Sequence, residues 1–457
     1  PTRDTIGRSV YIITLGCPKN TVDAELMAAA LNRAGWRLTT EPAGADVLVV
    51  NTCGFIAAAR EESIDTILRL AAETDNRRIV VAGCMAERFG DELHRELHEA
   101  AAVVGPGFIE SMPAILEEVL TGGRPLHTGR PPVLALADGG RLPSTPRTHA
   151  YLKISDGCDN RCAYCAIPLI RGRLRSRSID EVIAEARGLA AAGFGELILI
   201  AQDTAAYGRD RDDGTGIAGL LRELDNLDGD FTVRLMYAHP AHVTAELVNL
   251  FGSSRRLAPY IDLPIQHAAD DVLRRMGRGY GRDRIEELLA AFRLVRPDMV
   301  FRTTVLVGFP GETDENFAEL RRFLGASGFH HLGVFTYSKE TGTAAARAAG
   351  KVPAMVAAER RDLLMEDHRE RSRRWLAEYV GKVLEVSIDG VSEESEHLLQ
   401  GRAAWQAPEV DGVILINDGW AEIGTNAPVR ISESFDYDLL GSVVERSRDA
   451  AAPPDPP

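Results

Sequence analysis

The sequence predicts a three-part α/β chain: an N-terminal parallel-sheet α/β domain, a central βα barrel, complete or partial, and a C-terminal small antiparallel β-barrel. Three observations predict it. The 457 residues are about three times an ordinary domain, which calls for two to four separate cores. Short β-branched runs alternate with helical patterns in two successive series, the order that builds parallel sheets covered by helices. After Gly381 the helical patterns stop and short alternating strands follow.

The first series occupies residues 8–122. Strand patterns at Val10 to Leu15, Val47 to Val50, Ile79 to Ala82 and Ala102 to Val104 are each followed by a helical pattern. Those helices run over Val22 to Ala34, Ala57 to Ala72, Glu87 to Glu99 and Ile109 to Thr121. Residues 123–146, rich in Gly, Pro and Arg and without a sustained period, read as a linker. The second series, residues 147–380, has strand patterns at Tyr151 to Ile154, Glu196 to Ala201, Phe231 to Met236, Ile261 to Leu263, Phe301 to Val307 and His331 to Phe335. Helical patterns at Ile179 to Ala192, Ile217 to Leu227, Arg282 to Arg296 and Asp314 to Leu324 separate them. In a TIM-like barrel of this kind the chemistry lies at the C-terminal ends of the strands. A last helix, Ala354 to Val380, carries Arg360, Arg361, Arg369, Arg371, Arg373 and Arg374, which read as a solvated face. Residues 381–443 hold strand patterns at Val383 to Ile388, Leu398 to Ala403, Gly412 to Ile416 and Ala427 to Ser432. The tail, 444–457, is expected to be disordered.

Composition excludes several classes. With 45% hydrophobic and 26% charged residues the chain is neither disordered as a whole nor fibrous. No run approaches the roughly 18 apolar residues of a membrane span, and Pro1 to Val10 has no apolar signal region. A cytoplasmic protein without membrane partners is expected, and Pro1 in place of a methionine reads as a trimmed start. The net charge of -15 makes a poor general nucleic-acid binder and suits a basic protein partner. Six cysteines in such a chain are ligands or catalysts rather than a disulfide framework.

Cys158, Cys162 and Cys165 stand at spacing C-x3-C-x2-C just after the first barrel strand. A structural zinc needs a fourth ligand, and His149 and His239 stand at no zinc-like spacing. Three thiolates suit a 4Fe-4S cluster with one iron open. With Tyr164 before the third cysteine, the run resembles the radical S-adenosylmethionine family. The resemblance implies that the open iron is chelated by the methionine moiety of S-adenosyl-L-methionine and that reductive cleavage yields a 5′-deoxyadenosyl radical. Such chemistry removes hydrogen from unactivated carbon, beyond the reach of any side-chain base. The segment from Thr304 to Glu312, including Val305 and Gly308, resembles that family's adenine-contacting strand and turn. Gln202, with Asp203 and Thr204, and Gln266, with His267, end two other strands facing the same mouth. Tyr164, Gln202, Gln266, Val305 and Gly308 are therefore the candidate cofactor contacts. Arg171, Arg173, Arg175 and Arg177 follow the cysteine loop with no role assigned.

Cys17, Cys53 and Cys84 are far apart in sequence, yet each follows a strand almost at once and has a neighbouring glycine, Gly16, Gly54 or Gly83. In a parallel sheet these ends share one edge, so the three thiols converge on the crevice where such folds bind ligands. Buried inert cysteines or a reactive thiol pair are the plainer alternatives. Two open 4Fe-4S sites in one chain resemble the methylthiotransferases of the radical family, in which an α/β domain, a radical barrel and a TRAM-type β-barrel occur in this order.

The runs Leu15-Gly16-Cys17-Pro18-Lys19-Asn20, Asn51-Thr52-Cys53-Gly54-Phe55-Ile56, Gln202-Asp203-Thr204 and Asp262-Leu263-Pro264-Ile265-Gln266-His267 are similar to the branch that modifies a ribosomal protein. The transfer RNA branch usually reads Gly-Cys-Gln-Met-Asn and Asn-Thr-Cys-Ser in the first two places. The resemblance implies methylthio transfer to the β-carbon of an aspartate of small-subunit ribosomal protein twelve, on or near the small subunit. It also implies an electron donor such as flavodoxin or ferredoxin, and a sulfur source. From Gly381 to Leu440 three basic residues stand against twelve acids, a net charge of -9 that should repel phosphates and attract a cationic ribosomal protein. The alternatives are a transfer RNA adenosine methylthiotransferase and a metal-binding ribosome assembly factor without chemistry. Beyond the six cysteines no side chain is marked as catalytic.

Overall fold

The computed structural model describes residues 8–73, 78–129 and 140–445. Of the expected linker and tail, residues 130–139 and 446–457 lie outside the described residues.

The N-terminal sheet has six parallel strands in the order Arg37–Leu38, Ser9–Thr14, Val47–Thr52, Arg78–Gly83, Ala100–Val104 and Leu126–His127. Its strands read as unbroken apolar runs because both faces are covered. Val47, Val49, Val80 and Ala82 pack under the helices Pro18–Arg33 and Met112–Leu120. Leu48, Val50, Ile79 and Val81 face Ala57–Glu73 and Cys84–Glu96 on the other side. Two helices begin earlier than their apolar period indicates, at Pro18 rather than Val22 and at Cys84 rather than Glu87. Pro18 occupies the first helical position, where its missing N–H costs nothing. Both corrections place a cysteine at a helix start.

The central sheet is also all parallel, in the order His331–Thr336, Val300–Val307, Leu257–Asp262, Thr232–Leu235, Glu196–Ile200 and Ala150–Lys153. Six strands leave it open, a partial barrel. Its outer side chains, among them Leu152, Leu197, Leu199 and Leu235, pack under the surrounding helices. Its inner ones, including Tyr151, Ile198, Ile200 and Tyr260, meet Val22 and Leu26 of the N-terminal domain and Trp405 and Ala407 of the C-terminal barrel. The flanking domains therefore complete the barrel's interior. Helices Ala245–Ser253 and Asp270–Met276 add to those that the periodicity indicates.

The C-terminal barrel is closed by five strands, Val383–Ser392, Ser395–Arg402, Ile414–Asp418, Asn426–Ser434 and Leu439–Val443. Four of its five neighbouring pairs are antiparallel, as expected. Ile414–Asp418 and Leu439–Val443 pair in parallel.

The helix Ala354–Ala377 joins the two barrels, and its arginines divide. Arg361 and Arg374 are exposed as expected, but Arg360 is 5% exposed and pairs with Asp314 at 2.6 Å and Glu312 at 3.4 Å. The solvated-face reading fails there because two acids approach from the barrel.

Histidines cluster where the barrels and this helix meet. His330 packs on Trp375, His368 on Tyr437, and His149 sits beside Arg402. Burial, aided by Arg402 at His149 and by Arg371 at His368, lowers these imidazoles from 6.5 to about 4 for His149 and His330 and about 3 for His368. A base held neutral when folded binds fewer protons than in the unfolded chain, so its stabilisation is present above 6.5 and is lost as pH falls toward its folded value. Each tenfold change in proton affinity is worth about 1.4 kcal/mol. The expected result is acid unfolding centred between these values, read by fluorescence of Trp375 and Trp405. A transition confined to the carboxylate range would contradict it.

Candidate active site

One cavity of about 420 Å³ lies between the N-terminal domain and the C-terminal ends of the barrel strands, and all six cysteines line it. Each trio is assembled from backbone outward.

Cys17 precedes the helix Pro18–Arg33 as its N-cap, Cys53 follows the strand Val47–Thr52, and Cys84 opens the helix Cys84–Glu96. The neighbouring glycines allow the three loops to touch. A Cβ on Gly16 would stand 2.8 Å from Cys53 Cβ, and one on Gly54 would stand 2.7 Å from Met85 Cα. Gly83, at φ 92°, would place a Cβ 2.4 Å from Asn51 Oδ1. Asn20 ties the loops together. Its Nδ2 donates to Leu15 O at 2.8 Å and to Thr52 O at 3.1 Å, while its backbone oxygen accepts from Asn51 Nδ2 at 2.8 Å. Its Oδ1 accepts from Arg171 at 3.0 Å, and Arg171 also donates to Cys84 Sγ at 3.1 Å.

The second trio sits on the loop after Ala150–Lys153. Gly157, at φ 76°, lies where a Cβ would be 2.0 Å from Arg173 O, so only glycine lets the loop close on residues 172–176. Cys158 N–H donates to Gly172 O at 3.0 Å, and Ala163 N–H to Met276 O at 2.8 Å. Ile167 N–H donates to Cys165 Sγ at 3.4 Å. Arg278 reaches in from beyond the helix Asp270–Met276, donating to Cys162 Sγ at 3.3 Å and Tyr164 Oη at 3.2 Å. Asn160 is held by Asp203, at 2.7 Å.

The donor chemistry fits two polynuclear iron-sulfur centres better than single ions. A tetrahedral zinc with Zn–S near 2.3 Å brings its sulfurs to about 3.8 Å apart. Among the described residues the only trio with donor atoms all within 4.8 Å of one another is Asp203, His239 and His242, so neither cysteine trio is that compact. Asp203 itself is already engaged: its oxygens accept from Asn160, from His242 Nδ1 at 2.7 Å and from the backbone of Ala206 and His239. Asp203, held in turn by His242, thus fixes the cysteine loop through Asn160. Burial pushes the thiols of Cys84, Cys158 and Cys165 up to about 12 and raises Cys53. Metal uptake by these groups therefore releases protons.

Tyr164, Gln202 and Gln266 line the same cavity. Gln202 donates to Asp156 at 2.9 Å. Gln266, at φ 68°, bridges to Val305, which is fully buried behind the wall. Gly308 lines a neighbouring pocket of about 220 Å³, where a Cβ on it would stand 2.5 Å from Ala357 Cβ. Of the four arginines left without a role, Arg171 bonds Asp23 at 2.7 Å, Asp156 at 3.2 Å and Cys84. Arg173 pairs with Asp159 at 2.8 Å and Arg177 with Glu185 at 2.6 Å. Asn20, Arg171 and Arg278 join the site without having been expected there. Only the branch-specific run around Asn20 carries a signal in the sequence.

Comparison with known proteins follows this architecture. Residues 9–105 match an uncharacterized protein family, UPF0004; residues 152–324 match the radical SAM superfamily and residues 380–444 the TRAM domain. Solved structures share the fold at low identity. TsrM from Kitasatospora setae, a radical S-adenosylmethionine methyltransferase with cobalamin and a [4Fe-4S] cluster bound, is 16% identical with a TM-score of 0.51, covering 73% of each chain. OxsB, a cobalamin-dependent S-adenosylmethionine radical enzyme, is 14% identical with a TM-score of 0.52, covering 79% of this chain and 56% of its own. Curated relatives are much nearer. The ribosomal protein uS12 methylthiotransferase RimO of Anaeromyxobacter sp. (strain Fw109-5) is 45% identical over 450 residues, 98% of this chain and 95% of that one. Those of Trichlorobacter lovleyi and Heliobacterium modesticaldum are 42% and 44% identical, covering 96% and 95% of this chain and 98% and 95% of their own. With three matched domains in sequence and full-length identity above two residues in five, the chain belongs to the RimO family of ribosomal protein uS12 methylthiotransferases.

Proposed function

We propose that this chain is a radical S-adenosylmethionine methylthiotransferase acting on the β-carbon of an aspartate of ribosomal protein uS12, in the cytoplasm. The observation that carries the reading is the opening of both cysteine trios into one cavity. Cys158, Cys162 and Cys165 hold the cluster that binds S-adenosylmethionine, and Cys17, Cys53 and Cys84 the cluster that delivers sulfur. When bound, these groups supply hydrogen-abstracting radical chemistry, a transferable sulfur and a methyl group. The protein's own residues supply enclosure and orientation. Arg278 and Arg171 place donors on cysteine sulfurs, Asp203 fixes the loop through Asn160, and Phe55, Ile167, Ile170 and Phe335 line the cavity with apolar surface that limits water near a reactive radical. Tyr164, Gln202 and Gln266 contact S-adenosylmethionine, with Val305 and Gly308 shaping the strand behind. The division into 8–122, 147–380 and 381–443 assigns sulfur delivery, radical generation and substrate docking to separate domains.

Substrate docking goes with charge. Glu393, Glu394, Glu396, Asp418, Glu422 and Glu433 are exposed on the C-terminal barrel, a surface suited to a basic ribosomal protein and poorly suited to RNA. An external one-electron donor, such as flavodoxin or ferredoxin, and a sulfur source complete the system. The test is mass spectrometry of uS12 from a strain lacking this protein. The expected result is loss of one methylthio group from uS12 and its return on complementation, with methylthioadenosine in transfer RNA unchanged. Unaltered uS12 with reduced methylthioadenosine would overturn the reading.

A further inference from the structure

The cations on this cavity differ in how fully they are committed. Arg171 is engaged by Asp23, Asp156, Asn20 and Cys84. Arg278 is engaged by Tyr280, Tyr164, Cys162 and Pro264 O. Lys19 makes no ion pair among the described residues. Its Nζ lies 3.6 Å from the centroid of the Tyr237 ring and 3.5 Å from Ala201 O. The nearby acid Asp262 is already taken by Arg302, at 3.3 Å, and by Tyr237 N–H, at 3.1 Å. An ammonium has three donors, so Lys19 faces an apolar-walled cavity with donor capacity unspent. Cys17 and Asp262 also face the ammonium, but neither hydrogen-bonds it among the described residues, so a carboxylate entering the cavity would give it a direct anionic partner.

The position of Lys19 narrows the choice of anion. It belongs to the N-terminal domain, two residues beyond Cys17, but its ammonium rests on the ends of the barrel strands Glu196–Ile200 and Thr232–Leu235. It thus spans the boundary that the two cysteine trios share. In an aspartate side chain the β-carbon is bonded directly to the carboxylate carbon, so holding the carboxylate here confines the reacting carbon to the space between the trios.

We propose that the Lys19 ammonium binds the side-chain carboxylate of the target aspartate and sets the selection of an acidic side chain. This rests on the uS12 reading above. The experiment compares the reconstituted full chain with Lys19→Met and Lys19→Arg, matched for iron and sulfide. Each is given uS12 with its aspartate or with asparagine at that place, and affinity is measured by fluorescence anisotropy beside kcat and KM.

The wild-type protein is expected to prefer the aspartate protein by about 10- to 100-fold in kcat/KM, the range of one charge-assisted hydrogen bond. Lys19→Met should abolish that preference, chiefly by raising KM and weakening binding of the aspartate protein, and Lys19→Arg should restore part of it. Full discrimination in Lys19→Met would overturn the proposal. So would a loss of S-adenosylmethionine affinity with discrimination intact, since Lys19 would then serve the cofactor. A wild-type protein that modifies neither uS12 would instead sink the functional reading itself.

Discussion

Replacing Cys158, Cys162 or Cys165 by alanine is expected to reduce 5′-deoxyadenosine formation to background, whereas replacing Cys17, Cys53 or Cys84 should leave it while ending methylthio transfer. The asymmetry follows from the two settings. The trio Cys158, Cys162 and Cys165 occupies one loop, closed at Gly157 and holding Tyr164. On the proposed reading each of its thiols would be one of three protein ligands to a site that needs an open iron, and losing one would leave too few to hold it. The other trio is built from three strand ends in another domain, so on the proposed reading its loss would remove the sulfur-delivering site without touching the loop around Cys158. Chromatography of the nucleoside and mass spectrometry of uS12 separate the two outcomes. Equal loss of nucleoside in both sets of variants would show that the trios do not act separately.

The second large effect is on stability. Arg171→Met should destabilise the chain by about 3–5 kcal/mol, the cost of breaking a buried ionic network by removing one partner. Arg171 is 3% exposed and lies between Asp23 at 2.7 Å, from the N-terminal domain, and Asp156 at 3.2 Å, from the barrel. Lys153 offers Asp23 a remaining partner, but the second cation is lost between two buried acids. The Cys84 thiol loses a donor as well. Denaturant unfolding of the metal-free protein reads this directly. A change below about 1 kcal/mol, the ordinary range for a solvated surface pair, would contradict the role assigned to the network.

How far these features are legible in the chain depends on how local they are. The cysteines of the N-terminal domain can be read because each stands directly after a β-branched run, and a parallel sheet brings such ends to one edge. The edge strands Arg37–Leu38 and Leu126–His127 have two residues each, too few for any period. The apolar period sets the start of the helix Pro18–Arg33 four residues late because Lys19 and Asn20 turn inward to the site rather than following the apolar stripe. Arg171, Asn20 and Cys84 meet through contacts 64 to 151 residues apart, and Arg278 reaches Cys162 across 116. No local pattern records such pairings. The parallel closure of the C-terminal barrel is hidden for the same reason, since Leu439–Val443 pairs with Ile414–Asp418 across the ring.

The central claim is that two separate cysteine trios each hold an open four-iron centre on one cavity. Its most direct test is iron and sulfide analysis, with Mössbauer spectroscopy, of the anaerobically reconstituted chain and of two triple-alanine variants, one for each trio. The account predicts about eight iron and eight sulfide per chain, falling to about four of each in either variant. Zinc in place of iron, or about four iron per chain that the Cys17, Cys53 and Cys84 triple variant leaves unchanged, would contradict it.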